Sequence, residues 1–453
     1  MTEEKQKKLL FSNKDLWVLI FPLVIELALK LIVGLIDSVM VSSVGEAAVS
    51  GVSLVDSIMQ LLIYIFAAMA SGGAVVAGQY LGAKVHKKAK QAAGELMWLN
   101  VLLSVVIMAV MLLVSDWMLT HVFGQIEQDV YENARGYFGI VLLSVPAIAM
   151  LEAGTAIFRT MGNSKTTMKI SLLMNVMNGI GNAILIYGFS MGTRGAALST
   201  LVSRWTAALL VVWLLLNPER ELSLERSWRH HFDWQMSKSI MTMGVPGGVE
   251  NGVFQLGKIV ILGLVATFGT AAITANAVSQ TLASLEMIPG SAIQLAIVTV
   301  IARCIGAGDY EQTEYFNKKL LKISYVTVLI WSVILVLGQP LILKFYNLSE
   351  ETTRLTFAMF RWHALGAVLI WPLSFDLPAS LRATGDVRFP MFLSIFSMWV
   401  FRFGGAYLLS GPLGFGAVGV WMSMAFLDWG FRALCFSVRW KSGKWKAKGV
   451  VKG

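Results

Sequence analysis

The sequence predicts an all-α integral membrane protein with twelve transmembrane helices in two pseudo-symmetric six-helix lobes. Three observations predict it. The 453 residues are 56% hydrophobic and only 14% charged, where soluble domains carry about a quarter charged residues. Apolar stretches long enough to cross a bilayer, ~20 residues in a helix, recur twelve times. Short patterns of the first half also return in the second after 223 or 224 residues. Pro22 and Glu26 return as Pro246 and Glu250, Gly45 as Gly269, and Gly82 as Gly306. Arg159-Thr160-Met161-Gly162-Asn163 returns in form as Arg382-Ala383-Thr384-Gly385-Asp386.

In order, the first six spans are expected at about 16–40, 48–80, 91–115, 130–152, 167–189 and 194–216. The second six are expected at about 239–263, 271–302, 320–343, 355–377, 389–410 and 415–438. The first span follows a polar, basic stretch from Met1 to Lys14. It is too long and too polar for a cleaved leader and is expected to be retained. The second span of each half is long and rich in small residues, as in Ala67 to Ala74, which let helices approach closely in lipid. The polar stretch from Asn217 to Ser237, with Arg220, Arg226, Arg229, His230 and His231, joins the halves. It sets the expected lobes at 1–225 and 226–453. A chain built of two such copies can expose a central site alternately to either side, as many secondary transporters do.

The formal charge of +10 is sorted by topology. With the N-terminus inside, 27 basic residues fall in inner segments and 4 in outer ones: Arg135, Arg194, Lys344 and Arg354. Outer segments are acidic instead, with Glu127, Asp129, Glu132, Glu350 and Glu351. This bias fixes an even span count and the orientation, with both termini in the cytoplasm; the expected location is a plasma (inner) membrane. No nucleic-acid partner is expected. Cys304 and Cys435 lie in separate apolar segments and form no disulfide framework or metal site. The five histidines are too scattered for a metal cluster. No nucleophile elbow, zincin helix, Walker loop or glycosidase-type carboxylate pair appears, so neither an enzyme nor a cofactor is expected. Transport would draw on an ion gradient or on the solute's own.

Ionisable and amide residues inside spans are costly and usually functional. Asn175, Asn178 and Asn182 step by three and four, so they share one face of the fifth span. Asp37 near the outer end of the first span and Thr200 at the start of the sixth lie at similar depth. This set could hold a sodium ion, or its carboxylate could carry a proton; the alternative is a hydrogen-bond network that packs the lobe. Glu26 and Lys30 are four apart and could pair with each other. Glu250, Asn251, Gln255 and Lys258 run along span seven as a candidate cavity wall. Asp56 with Gln60, and Gln280 with Glu286, add polar positions in the second span of each half. The last three spans carry Arg361, Asp376, Arg402, Asp428 and Arg432; Asp428 and Arg432, four apart, suit an ion pair at least as well as a ligand site. Beyond a possible sodium ion, no metal is expected.

These residues resemble the multidrug and toxic compound extrusion (MATE) family, within the multidrug/oligosaccharidyl-lipid/polysaccharide exporter superfamily. The resemblance runs from about Pro22 to Trp440. Its most specific elements are the two Arg-x-x-Gly-Asx stretches at Arg159 and Arg382. Asp37 followed by Val39-Met40-Val41 and Gly45, the stretch Gly78-Gln79-Tyr80-Leu81-Gly82-Ala83, and its counterpart Ile305-Gly306-Ala307-Gly308 add to it. The resemblance implies twelve spans in two lobes. It also implies a first-lobe cation site to which Asp37, Asn178, Asn182 and Thr200 correspond. The position of Asn182 is commonly aspartate in relatives, which leaves Asp37 as the only carboxylate of the set. The implied function is secondary active efflux, exchanging H+ or Na+ for organic, often cationic and amphipathic, compounds by alternating access. Glu26, Asp56, Gln60, Glu250, Asn251, Gln255, Gln280, Glu286 and Asp376 are candidates for the substrate cavity. A lipid or lipid-linked oligosaccharide flippase on the same fold is the alternative, which Lys30, Lys258, Arg361 and Arg402 would suit. An intramembrane enzyme is a remote one. The expected partners are small-molecule substrates and the lipid bilayer, and a monomer is expected.

Overall fold

A computed structural model describes residues 9–121, 127–225, 232–346 and 348–450. Lys5, Lys7, Lys8, Arg226, Arg229, His230, His231 and Lys452, used in the charge and linker arguments above, lie outside them. Among the described residues there is no strand.

The first half runs α1 (Asn13–Ser42), α2 (Glu46–Gly82), α3 (His86–His121), α4 (Gln128–Leu142 with Val145–Thr160), α5 (Ser164–Gly188) and α6 (Gly192–Leu215). The second runs α7 (Trp234–Ala266), α8 (Thr270–Glu286 with Ile288–Gly306), α9 (Tyr310–Lys344), α10 (Glu350–Leu369 with Pro372–Ala383), α11 (Arg388–Ser410) and α12 (Gly416–Met422, Ser423–Asp428 and Trp429–Lys441). Among the described residues nine of these helices are long and apolar enough to cross a membrane, eleven when the bent pairs α4 and α10 each count as one, and α12 makes the twelfth helical run. The repeat read from the sequence is also a repeat of helix boundaries. Adding 224 to Glu46 and Gly82 gives Thr270 and Gly306, the ends of α8.

The helices are not all straight. The two parts of α4 meet at 51° and those of α10 at 64°. Pro146 and Pro372 each sit at the start of the second part, where a missing amide N–H is tolerated. The expected uninterrupted eighth span is broken at Met287, with Pro289 opening its second part. π-helical turns interrupt α5 (Ala183–Gly188), α10 (Pro372–Asp376), α11 (Met398–Gly404) and α12 (Ser423–Asp428). Such turns are rare and frequently mark functional sites.

The repeated Arg-x-x-Gly-Asx stretch has a local cause. Gly162 and Gly385 take φ of 81° and 99°, left-handed values that suit glycine and end the preceding helix. Asn163 then caps α5, its side chain accepting from the Thr166 amide at 3.2 Å.

The chain divides into two compact units. Trp17–Gly248 forms one; the residues from Val249 on, with the described residues before Trp17, form the other. The first has its apolar core on α2, where Val55 and Phe66 are fully buried with Phe138 and Val141 of α4 and Ala197 of α6. Close packing there depends on small residues. A Cβ at Gly154 would strike Val211 of α6, and one at Gly181 of α5 would strike Ser199 of α6. The second unit has a core of Val265, Ala275, Val328, Met359, Met398, Trp421 and Trp429. Many large apolar side chains point outward, including Leu113, Leu337 and Trp213, as expected of a surface that faces lipid.

Candidate functional site

The unit Trp17–Gly248 encloses a cavity of about 450 Å³. Its wall is made by α1, α2, α4, α5 and α6. The four residues expected to form the cation site all line it. Asn182 Nδ2 donates to Asp37 Oδ1 at 2.8 Å. In the amide orientation that satisfies both ends, Asn178 donates to the two Asp37 oxygens at 2.9 and 3.0 Å and accepts from Thr200 Oγ1 at 3.1 Å.

Local sequence places these groups. Asn178 and Asn182 stand one turn apart on α5, so both reach α1. The Gly181–Ser199 approach brings α5 and α6 together beside them, and Ser199 Oγ donates to the Asn178 carbonyl at 2.8 Å. Asn182 Oδ1 is buried with no hydrogen bond, as is Asn175 Nδ2. Among the described residues no cationic side chain lies within ion-pair distance of Asp37. The Asp37 carboxylate, the free oxygen of Asn182 and the Thr200 hydroxyl are therefore the oxygens that could hold a monovalent cation, and Asp37 could hold a proton in its place.

The remaining candidates separate. Asp56 and Gln60 line the same cavity, and Asp56 Oδ1 accepts from Tyr137 OH at 3.3 Å. Glu26 is not in the lining. It is 2% exposed and enclosed by Lys30 Nζ at 3.3 Å, Arg159 Nη1 at 3.9 Å and Thr167 Oγ1 at 2.7 Å. A carboxylate taken out of water needs such a set of partners. Glu250, Asn251, Gln255, Gln280, Glu286 and Asp376 belong to the other unit. Glu250 binds Arg382, Nη2 lying 2.8 and 2.7 Å from its two oxygens. Asn251 and Gln255 are half-buried and Gln280 is exposed. Glu286 is fully buried, accepting from Ser332 and lying 2.6 Å from His363 Nδ1. Asp376 is fully buried in its π turn with neither oxygen hydrogen-bonded.

The Asp428–Arg432 pair suggested by four-residue spacing does not form. Asp428 faces Arg402 at 3.9 Å and accepts from Ser397 at 2.6 Å, while Arg432 donates to the Ser374 carbonyl at 3.2 Å. Each takes partners from a neighbouring helix instead, Asp428 from α11 and Arg432 from α10.

Three further cavity residues were not singled out from the sequence. Tyr137 and Glu152 come from α4, and Arg204 from α6; all line the cavity. Arg204 Nη1 donates to Ser144 Oγ at 3.0 Å. Its signal was its position, an arginine inside a span and one turn after Thr200.

An all-helical bundle that crosses the membrane many times and walls a cavity with an acid–amide–hydroxyl group has the architecture of a membrane transporter. The MatE family model matches residues 22–184 and 246–408, and the chain belongs to the MatE family. It is a transporter of small-molecule substrates, not an enzyme, and a multi-pass membrane protein. The two matched stretches fall one in each copy of the repeat. The chain is 26% identical over 449 residues to the uncharacterized transporter YisQ of Bacillus subtilis, covering 96% of each chain. It is 25% identical to the probable multidrug resistance protein NorM of Thermotoga maritima, covering 97% of this chain and 94% of the relative. Among solved structures, a MATE in the bent conformation aligns with a TM-score of 0.88 at 21% identity, covering 96% of both chains. A MOP superfamily transporter from Pyrococcus furiosus aligns with a TM-score of 0.89 at 21% identity, also over 96% of both. The family and the fold of twelve helices in two lobes expected from the sequence are thereby borne out.

Proposed function

We propose that the chain is a secondary active efflux transporter that exchanges H+ or Na+ for organic, often cationic and amphipathic, compounds by alternating access. The observation that carries this reading is Asp37. It lies on the wall of a 450 Å³ cavity, bound by amides and, among the described residues, without a cationic partner in ion-pair distance. A carboxylate kept in a span without a direct ion pair is costly and marks an ion or substrate pathway. The cavity is within the size range of small-molecule sites and offers apolar wall from Val33, Val41, Met59, Ile63, Ile148, Leu151 and Met174. The name of the Thermotoga maritima relative, a probable multidrug resistance protein, agrees with it.

Asp37, Asn178, Asn182 and Thr200 form the coupling site in this reading, and Asp56 and Gln60 belong to the substrate cavity beside it. Loading Asp37 with a proton or sodium removes one negative charge from the wall and weakens the hold on a cationic substrate. The lobes 1–225 and 226–453 are the units of alternating access. The protein works as a monomer in the inner membrane with both termini in the cytoplasm.

The test is efflux of a fluorescent organic cation from proteoliposomes under separately imposed proton and sodium gradients. One gradient should drive uphill export, and collapsing it should stop export. Export that ignores both gradients would overturn the reading.

A further inference from the structure

The unit that begins at Val249 holds a second group of charged residues inside its helices, and their signs do not balance. Lys258 lies on α7, Arg402 on α11, and Asp428 with Arg432 on α12. Within these four there is one carboxylate for three cations, and Glu250, which also acts on Arg432, is already tied to Arg382. Their grouping is geometric. Gly257 of α7 approaches Met398 of α11 so closely that a Cβ there would strike the methionine side chain. Lys258 follows Gly257, and Arg402 stands four residues after Met398. Arg402 is the charge that acts on Lys258, and Asp428 lies 3.9 Å from Arg402.

The donors in this group exceed the acceptors. Arg402 Nη2 has a methionine sulfur, Met424 Sδ, at 2.8 Å, a weak acceptor for a guanidinium. Asp428 Oδ1 accepts from Ser397, and its Oδ2, 3.9 Å from Arg402, is a buried acceptor still free, against the several free guanidinium donors. Arg432 is 2% exposed, and its Nε and Nη1 are buried with no hydrogen-bond partner. The rings of Phe375 and Phe254, 4.5 and 5.3 Å from its guanidinium carbon, stabilise its charge but accept no conventional hydrogen bond. Lys258 has neither an ion pair nor a hydrogen bond among the described residues, and it is exposed. A lysine in mid-span faces a polar interior rather than lipid.

A second, independent feature marks the same place. Arg402 lies in the π turn Met398–Gly404 and Asp428 ends the π turn Ser423–Asp428. Two rare backbone irregularities on neighbouring helices both present this group. Buried donors that outnumber their acceptors, with a surplus of positive charge, are what an anion would complete.

We propose that Lys258, Arg402 and Arg432 form a binding site for the anionic group of an amphipathic organic anion, such as a carboxylate. Lys258 makes the outer contact, because it is exposed and free. Arg402 and Arg432 supply the buried charge behind it, and Asp428 fixes Arg402. The site lies in a different unit from Asp37 and does not rest on the cation-exchange reading. It adds a substrate class of opposite charge.

The test uses two probes with the same apolar body, 11-(dansylamino)undecanoate and its methyl ester. Binding is followed by dansyl fluorescence on the full-length protein in a nonionic detergent. The acid should bind at least about tenfold tighter than the ester, as expected for a charged hydrogen bond of about 1.4 kcal/mol or more. Lys258→Gln should remove most of that preference and leave ester binding unchanged. Arg402→Lys should retain more of it than Arg402→Gln, with melting curves confirming that both fold. Asp37→Asn should leave the preference intact. Equal binding of acid and ester by the wild type, or full acid preference in Lys258→Gln, would overturn the proposal. Loss of the preference in Asp37→Asn would also overturn it, by placing the anion in the other cavity. None of these outcomes bears on gradient-driven export of a cation, which tests the coupling site separately.

Discussion

Arg382 binds both carboxylate oxygens of Glu250, through one nitrogen at 2.8 and 2.7 Å. One repeat earlier, Arg159 stands 3.9 Å from Glu26. Each arginine opens an Arg-x-x-Gly-Asx stretch, and each glutamate lies four residues after a repeated proline. The motif therefore ties the end of α4 to α1 in one copy and the end of α10 to α7 in the other. The second copy is the tighter, because Glu26 also has Lys30 and Thr167 while Glu250 depends on Arg382.

Removing Arg382 should accordingly cost more than removing Arg159. Stranding a buried carboxylate costs about 3–5 kcal/mol. The 25% exposure of Arg382 lets water recover part of that, so Arg382→Gln should destabilise by about 2–3 kcal/mol. Arg159→Gln should cost about 1 kcal/mol, because Lys30 and Thr167 still hold Glu26. Thermal unfolding of both variants in one detergent checks the order. Equal loss of stability would show that the two copies bear the same load.

Asp37→Asn should retain the fold and lose coupled export. The amide has the size of the carboxylate, and Asn178 can turn its own amide to meet it, so melting should shift little. The variant has no charge with which to hold a coupling ion. Efflux driven by the effective gradient should fall at least about tenfold, equivalent to about 1.4 kcal/mol of lost interaction. Wild-type efflux from a well-folded variant would remove Asp37 from the mechanism.

The span count and the Asn175, Asn178 and Asn182 face of α5 were legible in the sequence for a simple reason, whereas the resemblance singled out the set with Asp37 and Thr200. Both depend on signals that run along the chain, hydropathy over ~20 residues and helical spacing of three or four. Interhelical partners have no such signal. Nothing in spacing links Tyr137 to Asp56, Arg204 to Ser144, or Ser332 and His363 to Glu286. The Glu26–Arg159 and Glu250–Arg382 contacts form an intermediate case. Both partners repeat with nearly the same offset, so the relation was present in the sequence, but pairing them required knowing that α4 ends beside α1. Spacing misled at Asp428 and Arg432, which stand one turn apart but take their partners from α11 and α10.

Asn182→Asp should strengthen cation binding. Asn182 Nδ2 and Asp37 Oδ1 are 2.8 Å apart, so a second carboxylate would stand directly against the first. Two such groups cannot both be charged without a cation between them. Either a proton or a metal cation should then be held at least about tenfold more tightly. Isothermal titration with sodium at two pH values distinguishes the two. Unchanged affinity for both ions would show that Asp37 and Asn182 do not share a ligand.

Gly181→Ala should damage the same site from behind. Its new Cβ would meet Ser199, forcing α5 and α6 apart at the level where Asn178 meets Thr200. Overpacking of this kind costs about 1–3 kcal/mol. Lower thermal stability and weaker ion binding should appear together. Gly188→Ala on the same helix has no atom within 4 Å of its added Cβ and serves as the control. Identical behaviour of the two variants would show that the α5–α6 approach does not position the site.

Coupling ion and cationic substrate should each lower the other's affinity. Asp37 is part of the wall that a substrate would touch, and its charge is the one an ion would cancel. A ligand shifts a conformational equilibrium only through unequal affinity for the two states. Exchange therefore requires ion and substrate to favour different states, or to compete for the same charge. Either route makes the effect reciprocal at equilibrium. A coupling free energy of about 1–3 kcal/mol corresponds to a change of about 5- to 150-fold in affinity. A fluorescent organic cation titrated onto the purified protein should bind at least about fivefold more weakly when the effective ion is saturating. Asp37→Asn should bind it weakly throughout, with no response to either ion. Wild-type affinity that is constant across both pH and sodium would exclude exchange at this carboxylate.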